Sequence, residues 1–498
     1  MKNIYHYIKH YSKIKPNSPF IKYMDREFTY RQTWEKVNSL AYNLLEFGIT
    51  SNHSIGILLP NVPEFIISYF GILRNNSVAV LLPTTSSHQE LATLIKKSNV
   101  QTLIYSSEFN RKVDEIESIC GKFLHRIVLG LPNKNKISLL NLLKSNSQPK
   151  ITHKIAGNEQ AVIMFTSGTT GIPKGVILSH ENILINALSF SELLSSEKDP
   201  RISGIFPLSN CFSHTLVMNT ALILGGTIVL SNKSNPDEIA KLIRDKKVSI
   251  FIGNPELLQR IEELQDLESN DLSSLNSFIS IGDPLPKSFI DEWEKKYSSI
   301  ILEGYGLTEA SPLVSINQST KNRKIGSIGL ALSSNQTKII NNNGANVSID
   351  QIGELQIRGK NVMLRYFNEY YKNDYSEDVW FSTGDLVKQD IDGYFYFEGR
   401  KSDLLYRYGY YVNPRSIENI IIKHPKVQDV IVLGYNGNNL NQYIKICIVP
   451  KNRDKLTKEE ILEYSKKNLP KYLQPEIVEF YNNIPRNILG KVVRKILN

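Results

Sequence analysis

The sequence predicts an α/β protein. We expect a large N-terminal domain of parallel-type sheets covered by helices, which includes a β-rich subdomain, and a small α+β domain at the C-terminus. In the first half of the chain, short apolar runs of β-type residues alternate with amphipathic helical stretches, the pattern of parallel sheets with helices on both faces. A chain of 498 residues is also too long for one hydrophobic core, so at least two domains are expected.

Strands are predicted where apolar runs are short and rich in β-branched residues. These runs lie at residues 55–59, 78–82, 102–105, 228–230 and 249–252. The clearest helix is predicted over 31–47. Its apolar stripe consists of Trp34, Val37, Leu40, Ala41, Leu44 and Leu45. Thr29 and Gln32 have capping-box spacing before this helix, and Gly48 supplies a stop after it.

The pattern changes twice in the second half of the chain. From about residue 321, short β-type runs separated by Gly and Asn predict a β-rich subdomain over 321–399, within an N-terminal domain of residues 1–400. Residues 401–498 then combine helical and strand-like stretches into a unit of common domain size. The predicted elements of this unit are helices at 415–423 and 458–467 and strands at 430–433, 444–449 and 477–480.

Composition excludes several classes of protein. The apolar fraction of 41% is normal for a soluble globular protein. Residues 1–7 contain no apolar h-region, and the longest apolar stretch, at 216–230, is interrupted by polar residues and glycines, so neither an export signal nor a membrane span is expected. Cys120, Cys211 and Cys447 lie far apart without a zinc-type spacing, which predicts reduced, buried thiols in a cytoplasmic protein.

The positive charge belongs to the C-terminal part of the chain. Residues 401–498 carry 17 Lys+Arg against 9 Asp+Glu, a net charge of +8 out of +10 for the whole chain. We find no recognition helix and no interleaving of basic and stacking aromatic residues, so nucleic acid is not an expected partner. Two explanations fit this charge. It can attract an acidic partner or a phosphorylated cosubstrate, or it can form a solvated face that aids solubility.

The most informative segment is residues 166–175, here called the phosphate loop. Its glycines and hydroxyl side chains precede a lysine. They are Thr166, Ser167, Gly168, Thr169, Thr170 and Gly171, followed by Ile172, Pro173, Lys174 and Gly175. The loop lies between an apolar run and a helical-looking stretch, which predicts a strand, a turn and a helix whose N–H groups can point at an anion, with Lys174 adding positive charge. Pro173 and Gly175 flank Lys174, so the Walker pattern fails. A surface linker is the alternative.

Four further motifs follow the phosphate loop along the chain. They are Gly-Tyr-Gly-Leu-Thr-Glu at 304–309, Ser-Thr-Gly-Asp at 382–385, Gly-Tyr-Phe-Tyr-Phe-Glu-Gly-Arg at 393–400 and Pro-Arg-Asn-Ile-Leu-Gly-Lys at 485–491. In this order, the five motifs resemble the signatures of the adenylate-forming superfamily, which comprises acyl-CoA synthetases, adenylation domains of peptide synthetases and luciferases. The resemblance runs from about Phe28 to the last residues.

The resemblance implies a two-step reaction. A carboxylate attacks the α-phosphate of ATP, pyrophosphate leaves, and a thiol then attacks the acyl-adenylate. In the family the phosphate loop handles the β- and γ-phosphates, and Lys174 would offset their charge. Tyr305 would stack on adenine, the Thr308 hydroxyl would meet the α-phosphate, and Glu309 would bind Mg²⁺, a hard oxygen ligand for a hard cation. A capped helix start is the structural alternative for this motif.

The later motifs supply the remaining nucleotide contacts. Asp385 would accept hydrogen bonds from both ribose hydroxyls, and Arg400 would be directed at the nucleotide, although an Asp in a turn is more often a local Asx turn. Lys491 matches the family's catalytic lysine, which bridges the substrate carboxylate and the α-phosphate. The catalytic residues implied are therefore Lys491, Thr308 and Lys174. Gly282 lies in a segment that resembles the adenine lining and suits a close backbone approach.

The C-terminal domain of the family rotates after adenylation, so that a thiol can reach the adenylate. At the hinge position, where the family usually has Asp or Lys, this sequence has Ser402. Tyr406 and Ser416 also depart from common family residues, which bears on the thioester step rather than on adenylation. Gly409 lies where a pantetheine arm would pass.

The acyl pocket is implied by residues 206–214, which resemble a family segment that lines it. Asn210 stands where His or an aromatic residue is common. His214 is either a displaced substitute or a hydrogen-bonded core histidine. The Phe-Asp pair that captures an amino group in amino-acid adenylation domains does not occur in this segment, which favours a carboxylate without an α-amino group.

These observations predict an ATP-dependent, AMP-forming carboxylate ligase. Its substrates would be a small carboxylic acid, ATP with Mg²⁺, and CoA as the acceptor thiol. A stand-alone enzyme that loads an aryl, fatty or amino acid onto the phosphopantetheine of a carrier protein is an alternative, since the basic C-terminal part would suit an acidic carrier. A catalytically silent nucleotide-binding scaffold is another, against which the charged residues kept in all five motifs argue.

Overall fold

The computed structural model describes residues 3–131, 136–144, 155–166, 174–195, 197–233, 235–264, 267–297, 299–318, 323–367, 378–407, 410–436, 442–451, 456–486, 492 and 496–497. The chain forms two compact units. The first unit consists of Met1–Gln336 with Ile357–Phe381, and the second of Thr337–Gln356 with Ser382–Asn498.

Helices occur in both units. They are α1 (Tyr5–Ile14), α2 (Tyr30–Glu46), α3 (Pro63–Arg74), α4 (His88–Lys97), α5 (Asn110–Cys120), α6 (Leu139–Leu142), α7 (His180–Leu193), α8 (Thr220–Leu224), α9 (Pro236–Lys246), α10 (Pro255–Glu262), α11 (Lys287–Tyr297), α12 (Pro414–Ile421) and α13 (Lys458–Asn468). No helix in the described ranges is long and apolar enough to cross a membrane.

Strands of the first unit alternate with these helices. They are β1 (Pro19–Tyr23), β2 (Arg26–Thr29), β3 (Ser54–Leu58), β4 (Val78–Leu81), β5 (Thr102–Ser106), β6 (His125–Leu129), β7 (Ile137–Ser138), β8 (Gln160–Thr166), β9 (Lys174–Ser179), β10 (Arg201–Gly204), β11 (Thr227–Leu230), β12 (Ile250–Gly253), β13 (Ser277–Ile281), β14 (Ile300–Gly306), β15 (Leu313–Ile316) and β16 (Leu330–Ala331).

The later strands follow in chain order. They are β17 (Gln336–Ile340), β18 (Gly353–Arg358), β19 (Arg365–Tyr366), β20 (Phe381–Gln389), β21 (Phe395–Arg400), β22 (Leu405–Arg407), β23 (Tyr410–Val412), β24 (Val427–Asn436), β25 (Gln442–Pro450) and β26 (Ile477–Phe480).

Two large sheets organise the first unit. One has the order β16-β15-β14-β13-β12-β10-β11-β1-β2, and the other has the order β19-β9-β8-β4-β3-β5-β6-β7. Pairing is parallel in the interior of both sheets, and antiparallel strands stand at their ends: β2, β15 and β16 in the first sheet, β9 and β19 in the second. The predicted α/β class is therefore confirmed, with antiparallel additions at the sheet ends.

Helix α3 shows why this part of the sequence is so apolar. Ten of its residues besides Pro63 are buried, from Glu64 to Leu73, and Arg74 ends the helix. The helix contacts β1 of one large sheet as well as β3 and β4 of the other. A helix that is apolar all round is stable only when it is enclosed, and here the two sheets enclose it.

Among the described residues of the second unit, the larger sheets are β17-β18-β20-β21 and β24-β25-β26. Strand β24 alternates its side chains between two cores: Val430 and Val432 pack with α12 and α13, whereas Ile431 and Leu433 pack with Ile484 and Leu497 near the chain end. Ile484 and Leu497 are thus part of the hydrophobic core of this unit.

Local sequence signals were accurate where the structure depends on neighbours in the chain. Helix α2 begins at Tyr30 with the predicted capping box between Thr29 and Gln32, and Gly48 follows its end with a φ of 73°.

The expectation of three buried thiols was wrong for one residue. Cys211 and Cys447 are buried, but Cys120 is half-buried at the end of α5.

Candidate active site

The phosphate loop joins two paired antiparallel strands. Strand β8 ends at Thr166 and β9 begins at Lys174, and these residues face each other in the register of the pair. The predicted order of strand, turn and helix is wrong, because Lys174–Ser179 forms β9 before α7 begins at His180. The apolar, partly β-branched residues at 176–178 explain the extra strand. The loop therefore does not open directly into a helix N-terminus.

Most of the loop that was assigned to phosphate binding lies outside the described residues. This applies to Ser167, Gly168, Thr169, Thr170 and Gly171. The described ends are informative. Thr166 is half-buried and Lys174 is exposed. Since the two residues pair across the strands, they flank the entrance and exit of the loop, and a cation stands at its exit.

The second motif lies at the carboxyl ends of parallel strands. Ile281 at the end of β13 pairs with Gly304 of β14, and Gly282 follows with a φ of 118°, which favours glycine over every other residue. In β14, a Cβ atom on Gly306 would lie 2.1 Å from the carbonyl oxygen of Pro312. Tyr305 between these glycines is half-buried. Ligands of open α/β sheets commonly bind at this edge.

Thr308 and Glu309 form a 3₁₀ turn, Thr308–Ala310, that is held from two sides. From α7, Asn186 donates to the carbonyl oxygens of Ala310 at 3.2 Å and Leu313 at 2.7 Å. From the segment before β19, Asn361 donates to the Ala310 carbonyl oxygen at 2.9 Å. These buried amides fix the backbone of the turn, so the side chains of Thr308 and Glu309 start from a rigid support.

Tyr366 brings the exit of the phosphate loop and the second motif together. The Lys174 Nζ lies 4.6 Å from the centroid of the Tyr366 ring, and the Tyr366 hydroxyl donates to Glu309 Oε1 at 2.8 Å. Burial raises the pKa of the Cys211 thiol, and the Glu309 carboxylate raises it further. Tyr366 thus contacts both the ammonium of Lys174 and the carboxylate of Glu309, the residue that follows Thr308.

In the second unit, the structure pairs Asp385 with Arg400. The two residues face each other in the register of β20 and β21, and Arg400 Nε lies 3.2 Å from Asp385 Oδ1. The Asp385 side chain is only 6% exposed, whereas that of Arg400 is 41% exposed. The backbone N–H of Asp385 donates to Thr383 Oγ1 at 3.1 Å, which fixes the backbone of β20 around Gly384, whose φ is 74°. A buried carboxylate paired with a more exposed guanidinium can exchange its partner for a ligand hydroxyl.

The predicted hinge residue is exposed. Ser402 lies in the 3₁₀ turn Lys401–Asp403, where its hydroxyl donates to Asp403 Oδ1 at 3.1 Å. The neighbouring Lys401 pairs with Glu354 at 2.8 Å. Gly409, assigned to the thiol passage, lies outside the described residues. The hinge and thiol-passage assignments stay predictions.

Lys491 also lies outside the described residues, but both flanks of its segment are anchored. Arg486 and Val492 form an antiparallel bridge, and Arg486 pairs with Asp429 of β24 at 3.0 Å. Near the chain end, the buried Lys445 donates to the carbonyl oxygen of Leu497 at 2.8 Å. Arg486 and Leu497, which are described on either side of Lys491, therefore both contact the sheet β24-β25-β26 of the second unit.

The residues assigned to the acyl pocket lie at the start of a buried helical run. Asn210 is half-buried, and its Oδ1 accepts a hydrogen bond from the Phe212 backbone N–H at 2.9 Å. His214 is fully buried in a π-helix, Ser213–Asn219, with its ring 4.7 Å from that of Tyr69. π-Helical turns are rare and frequent near functional sites. The pocket role of both residues stays a prediction.

Comparisons with known proteins identify the family of this chain. The sequence model of the family described as AMP-binding enzyme matches residues 8–367, and that of the AMP-binding enzyme C-terminal domain matches residues 416–491. This chain belongs to the AMP-binding enzyme family. The matched ranges include the phosphate loop, the Thr308–Glu309 turn and Lys491.

Named relatives of this AMP-binding enzyme are ligases. A long-chain-fatty-acid–CoA ligase of Bacillus subtilis (strain 168) is 28% identical over 512 residues, covering 97% of this chain and 91% of the relative. 4-Coumarate–CoA ligase 3 of Arabidopsis thaliana is 27% identical over 487 residues, covering 95% and 86%. ATP-bound MatB from Rhodopseudomonas palustris has the same fold, with a TM-score of 0.90 at 24% identity, covering 100% of this chain and 98% of that structure.

A magnesium ion fits this AMP-binding enzyme at Glu309. Among the residues that the structure describes, no group of three or more His, Cys, Asp or Glu side chains is placed to hold a metal. Magnesium that binds with a nucleotide needs only one or two carboxylates, because phosphate oxygens and waters complete its shell. Glu309 has one oxygen held by Tyr366, and its second oxygen, Oε2, can serve as such a ligand.

Sequence reasoning missed Tyr366 and the two amides that hold the Glu309 turn. Tyr366 lies in a two-residue strand, too short to give a periodic signal. Asn186 lies mid-helix in α7, and Asn361 lies in a loop, where Asn is ordinary. The contacts of all three residues are formed only in the tertiary structure.

Two buried histidines of this AMP-binding enzyme predict acid sensitivity. Burial lowers the pKa of His180 from 6.5 to about 4 and that of His214 to about 3. As the pH falls below 6.5, the unfolded chain binds these protons before the folded chain does. The free energy of unfolding should then fall by about 1.4 kcal/mol per pH unit for each histidine, until the pH reaches the folded-state pKa.

Urea unfolding of the wild type and of His180→Leu between pH 7 and pH 4.5 measures this effect. Neither ring nitrogen of His180 has a partner among the described residues, so leucine removes no hydrogen bond there. We expect the stability of the variant to decline less steeply below pH 6.5, by about 1.4 kcal/mol per pH unit. An equal pH dependence of the free energy of unfolding in the two proteins would contradict the lowered pKa of His180.

Proposed function

We propose that this protein is an ATP-dependent, AMP-forming carboxylate ligase that transfers the acyl group to CoA. The observation that carries the proposal is that Tyr366 contacts both Lys174 and Glu309, the residue after Thr308. It combines a cation for phosphate oxygens with a carboxylate for the Mg²⁺ that accompanies them. The names of the curated relatives, which are CoA ligases, support CoA as the acceptor.

In the first step, the substrate carboxylate attacks the α-phosphate and pyrophosphate leaves. Two anions must approach each other, so the rate depends on donors placed where charge develops. Lys174 and the phosphate loop would bind the β- and γ-phosphates and stabilise the leaving pyrophosphate. Thr308 would donate its hydroxyl hydrogen to an α-phosphate oxygen, on a turn whose backbone is fixed by Asn186 and Asn361.

The nucleoside would be recognised by neutral and charged groups in separate roles. The Tyr305 ring offers a stacking face for adenine, and Gly282 allows the purine to approach the backbone closely. Asp385 would accept hydrogen bonds from the two ribose hydroxyls, with Arg400 directed at the nucleotide. Charge-assisted hydrogen bonds of this kind are about twice as strong as neutral ones.

Lys491 would supply the last cation, bridging the substrate carboxylate and the α-phosphate. We place the domain boundary after residue 400, with residues 1–400 as the AMP-binding domain, its β-rich part at about 321–399, and 401–498 as the mobile domain that carries Lys491. Ser402 would be the hinge, and the pantetheine arm would pass Gly409. Asn210 and His214 would lie near the acid, which lacks an α-amino group. The free thiols of all three cysteines suit a reducing, cytoplasmic compartment.

Product analysis tests this function directly. The purified protein is incubated with ATP, Mg²⁺, a panel of fatty, aryl and amino acids, and either CoA or a phosphopantetheinylated carrier protein. We expect acyl-CoA, AMP and pyrophosphate in equal amounts for a subset of the acids. Acylation of the carrier alone would replace CoA as the acceptor, and the absence of AMP with every acid would contradict ligase activity.

A further inference from the structure

Tyr366 stands between the two charged groups of the candidate active site. The face of its ring lies 4.6 Å from Lys174 Nζ, and its hydroxyl donates to Glu309 Oε1 at 2.8 Å. We propose that Tyr366 is a positioning residue that couples metal binding at Glu309 to triphosphate binding at Lys174. This inference rests on the proposed function, because it assumes that Glu309 and Lys174 act on one metal–nucleotide complex.

Backbone hydrogen bonds between two strands hold Tyr366 in this position. Strand β19 pairs antiparallel with β9, and Tyr366 faces Val176 in that register. On either side of Tyr366, the N–H of Leu364 donates to the Ile177 carbonyl oxygen at 2.9 Å and that of Phe367 to the Gly175 carbonyl oxygen at 2.6 Å. Tyr366 is thereby fixed to the strand that begins with Lys174.

The same segment is also bonded to the turn that carries Glu309. The N–H of Met363 donates to the Glu309 carbonyl oxygen at 2.8 Å, and the Ser311 hydroxyl donates to the Asn361 carbonyl oxygen at 2.7 Å. One short segment therefore connects the phosphate-loop strand with the metal-binding turn. A displacement of the Glu309 carboxylate on binding a metal would be transmitted to the Tyr366 ring, and so to the position of Lys174.

Each end of the side chain has its own physical role. The hydroxyl orients one oxygen of the carboxylate, and loss of such an outer hydrogen-bond partner typically weakens metal binding 10- to 100-fold. The ring holds the ammonium of Lys174 at the loop exit through a cation–π contact, which would persist when phosphate oxygens bind the same ammonium. The arrangement keeps the lysine in place before the nucleotide arrives.

Two substitutions separate these roles. Tyr366→Phe removes the hydroxyl but keeps the ring, and Tyr366→Leu removes both, while the backbone hydrogen bonds of β19 are unchanged in each. Tyr23→Phe is the control, because the Tyr23 hydroxyl also makes a side-chain hydrogen bond, which it accepts from Asn232 at 2.9 Å, and Tyr23 belongs to β1. Thermal unfolding establishes that every variant is folded.

Binding is measured rather than turnover. Free Mn²⁺ is followed by electron paramagnetic resonance in the presence of α,β-methylene-ATP, and binding of this analogue without metal is followed by calorimetry. We expect Tyr366→Phe to weaken Mn²⁺ binding about 10-fold with little change in metal-free analogue binding. Tyr366→Leu should in addition weaken the metal-free binding of the analogue roughly threefold. Tyr23→Phe should behave as the wild type.

The measurements distinguish a failure of the proposed function from a failure of the role assigned to Tyr366. If the wild type binds neither the analogue nor Mn²⁺ with it, the proposed function itself is wrong. If the wild type binds both and Tyr366→Phe binds Mn²⁺ equally well, Tyr366 has only a structural role in the edge strand. Equal metal-free affinities for the Phe and Leu variants would overturn the part assigned to the ring.

Discussion

Lys491→Ala is expected to slow acid-dependent exchange of pyrophosphate into ATP by about 10²–10³-fold, the effect of removing one well-placed electrostatic donor. The ammonium would bridge two anions that otherwise repel each other as the carboxylate approaches the α-phosphate.

A second half-reaction and a control variant make the Lys491 prediction specific. If the lysine serves adenylation alone, synthetic acyl-adenylate and CoA should still give thioester within a few-fold of the wild-type rate. Lys471→Ala removes an exposed lysine of the same unit and should leave pyrophosphate exchange unchanged. Wild-type exchange in Lys491→Ala, or equal losses in both half-reactions, would count against the catalytic role.

Asp385→Ala is expected to lower kcat/KM for ATP by about 10²-fold or more, mainly through a higher KM. A hydrogen bond to a charged group contributes about 1.5–3 kcal/mol, and the buried carboxylate would accept two from the ribose. The substitution also deprives Arg400 of the partner that now lies 3.2 Å away. Asp392→Ala, in the exposed turn between β20 and β21, is the matched control.

The ribose contact is tested with a changed substrate. The wild type should use 2′,3′-dideoxy-ATP far less well than ATP, whereas Asp385→Ala should barely discriminate between them, because the hydroxyls have lost their acceptor. Discrimination by the variant as strong as that of the wild type would show that Asp385 does not bind the ribose. The loss would then be assigned to the β20–β21 hairpin, whose register pairs Asp385 with Arg400.

The fold could be predicted from the sequence because its signals are local. The capping box before α2 involves residues three apart, and the parallel strands of the large sheets are short apolar runs between helices. Strand β9 shows where local signals fail. Lys174–Ser179 is short and merges with the following helix in sequence, so only its pairing with β8 and β19 identifies it as a strand.

The residues of the candidate site likewise divide into those found in local motifs and those identified only by tertiary contacts. Motif residues such as Lys174, Thr308 and Glu309 could be named from the sequence, since each belongs to a recognisable short pattern. Tyr366 could not, because its two contacts join residues from distant parts of the chain. Asp385 and Arg400 could each be named from their motifs, but their pairing with each other depends on the β20–β21 register.

The most direct test of the central claim follows an oxygen atom. A carboxylic acid accepted by the protein is labelled with ¹⁸O in its carboxyl group and incubated with ATP, Mg²⁺ and CoA, and the AMP formed is analysed by mass spectrometry. Attack of the carboxylate on the α-phosphate predicts one ¹⁸O atom in the phosphate of AMP. Unlabelled AMP, or label found in inorganic phosphate beside ADP, would contradict the proposed chemistry.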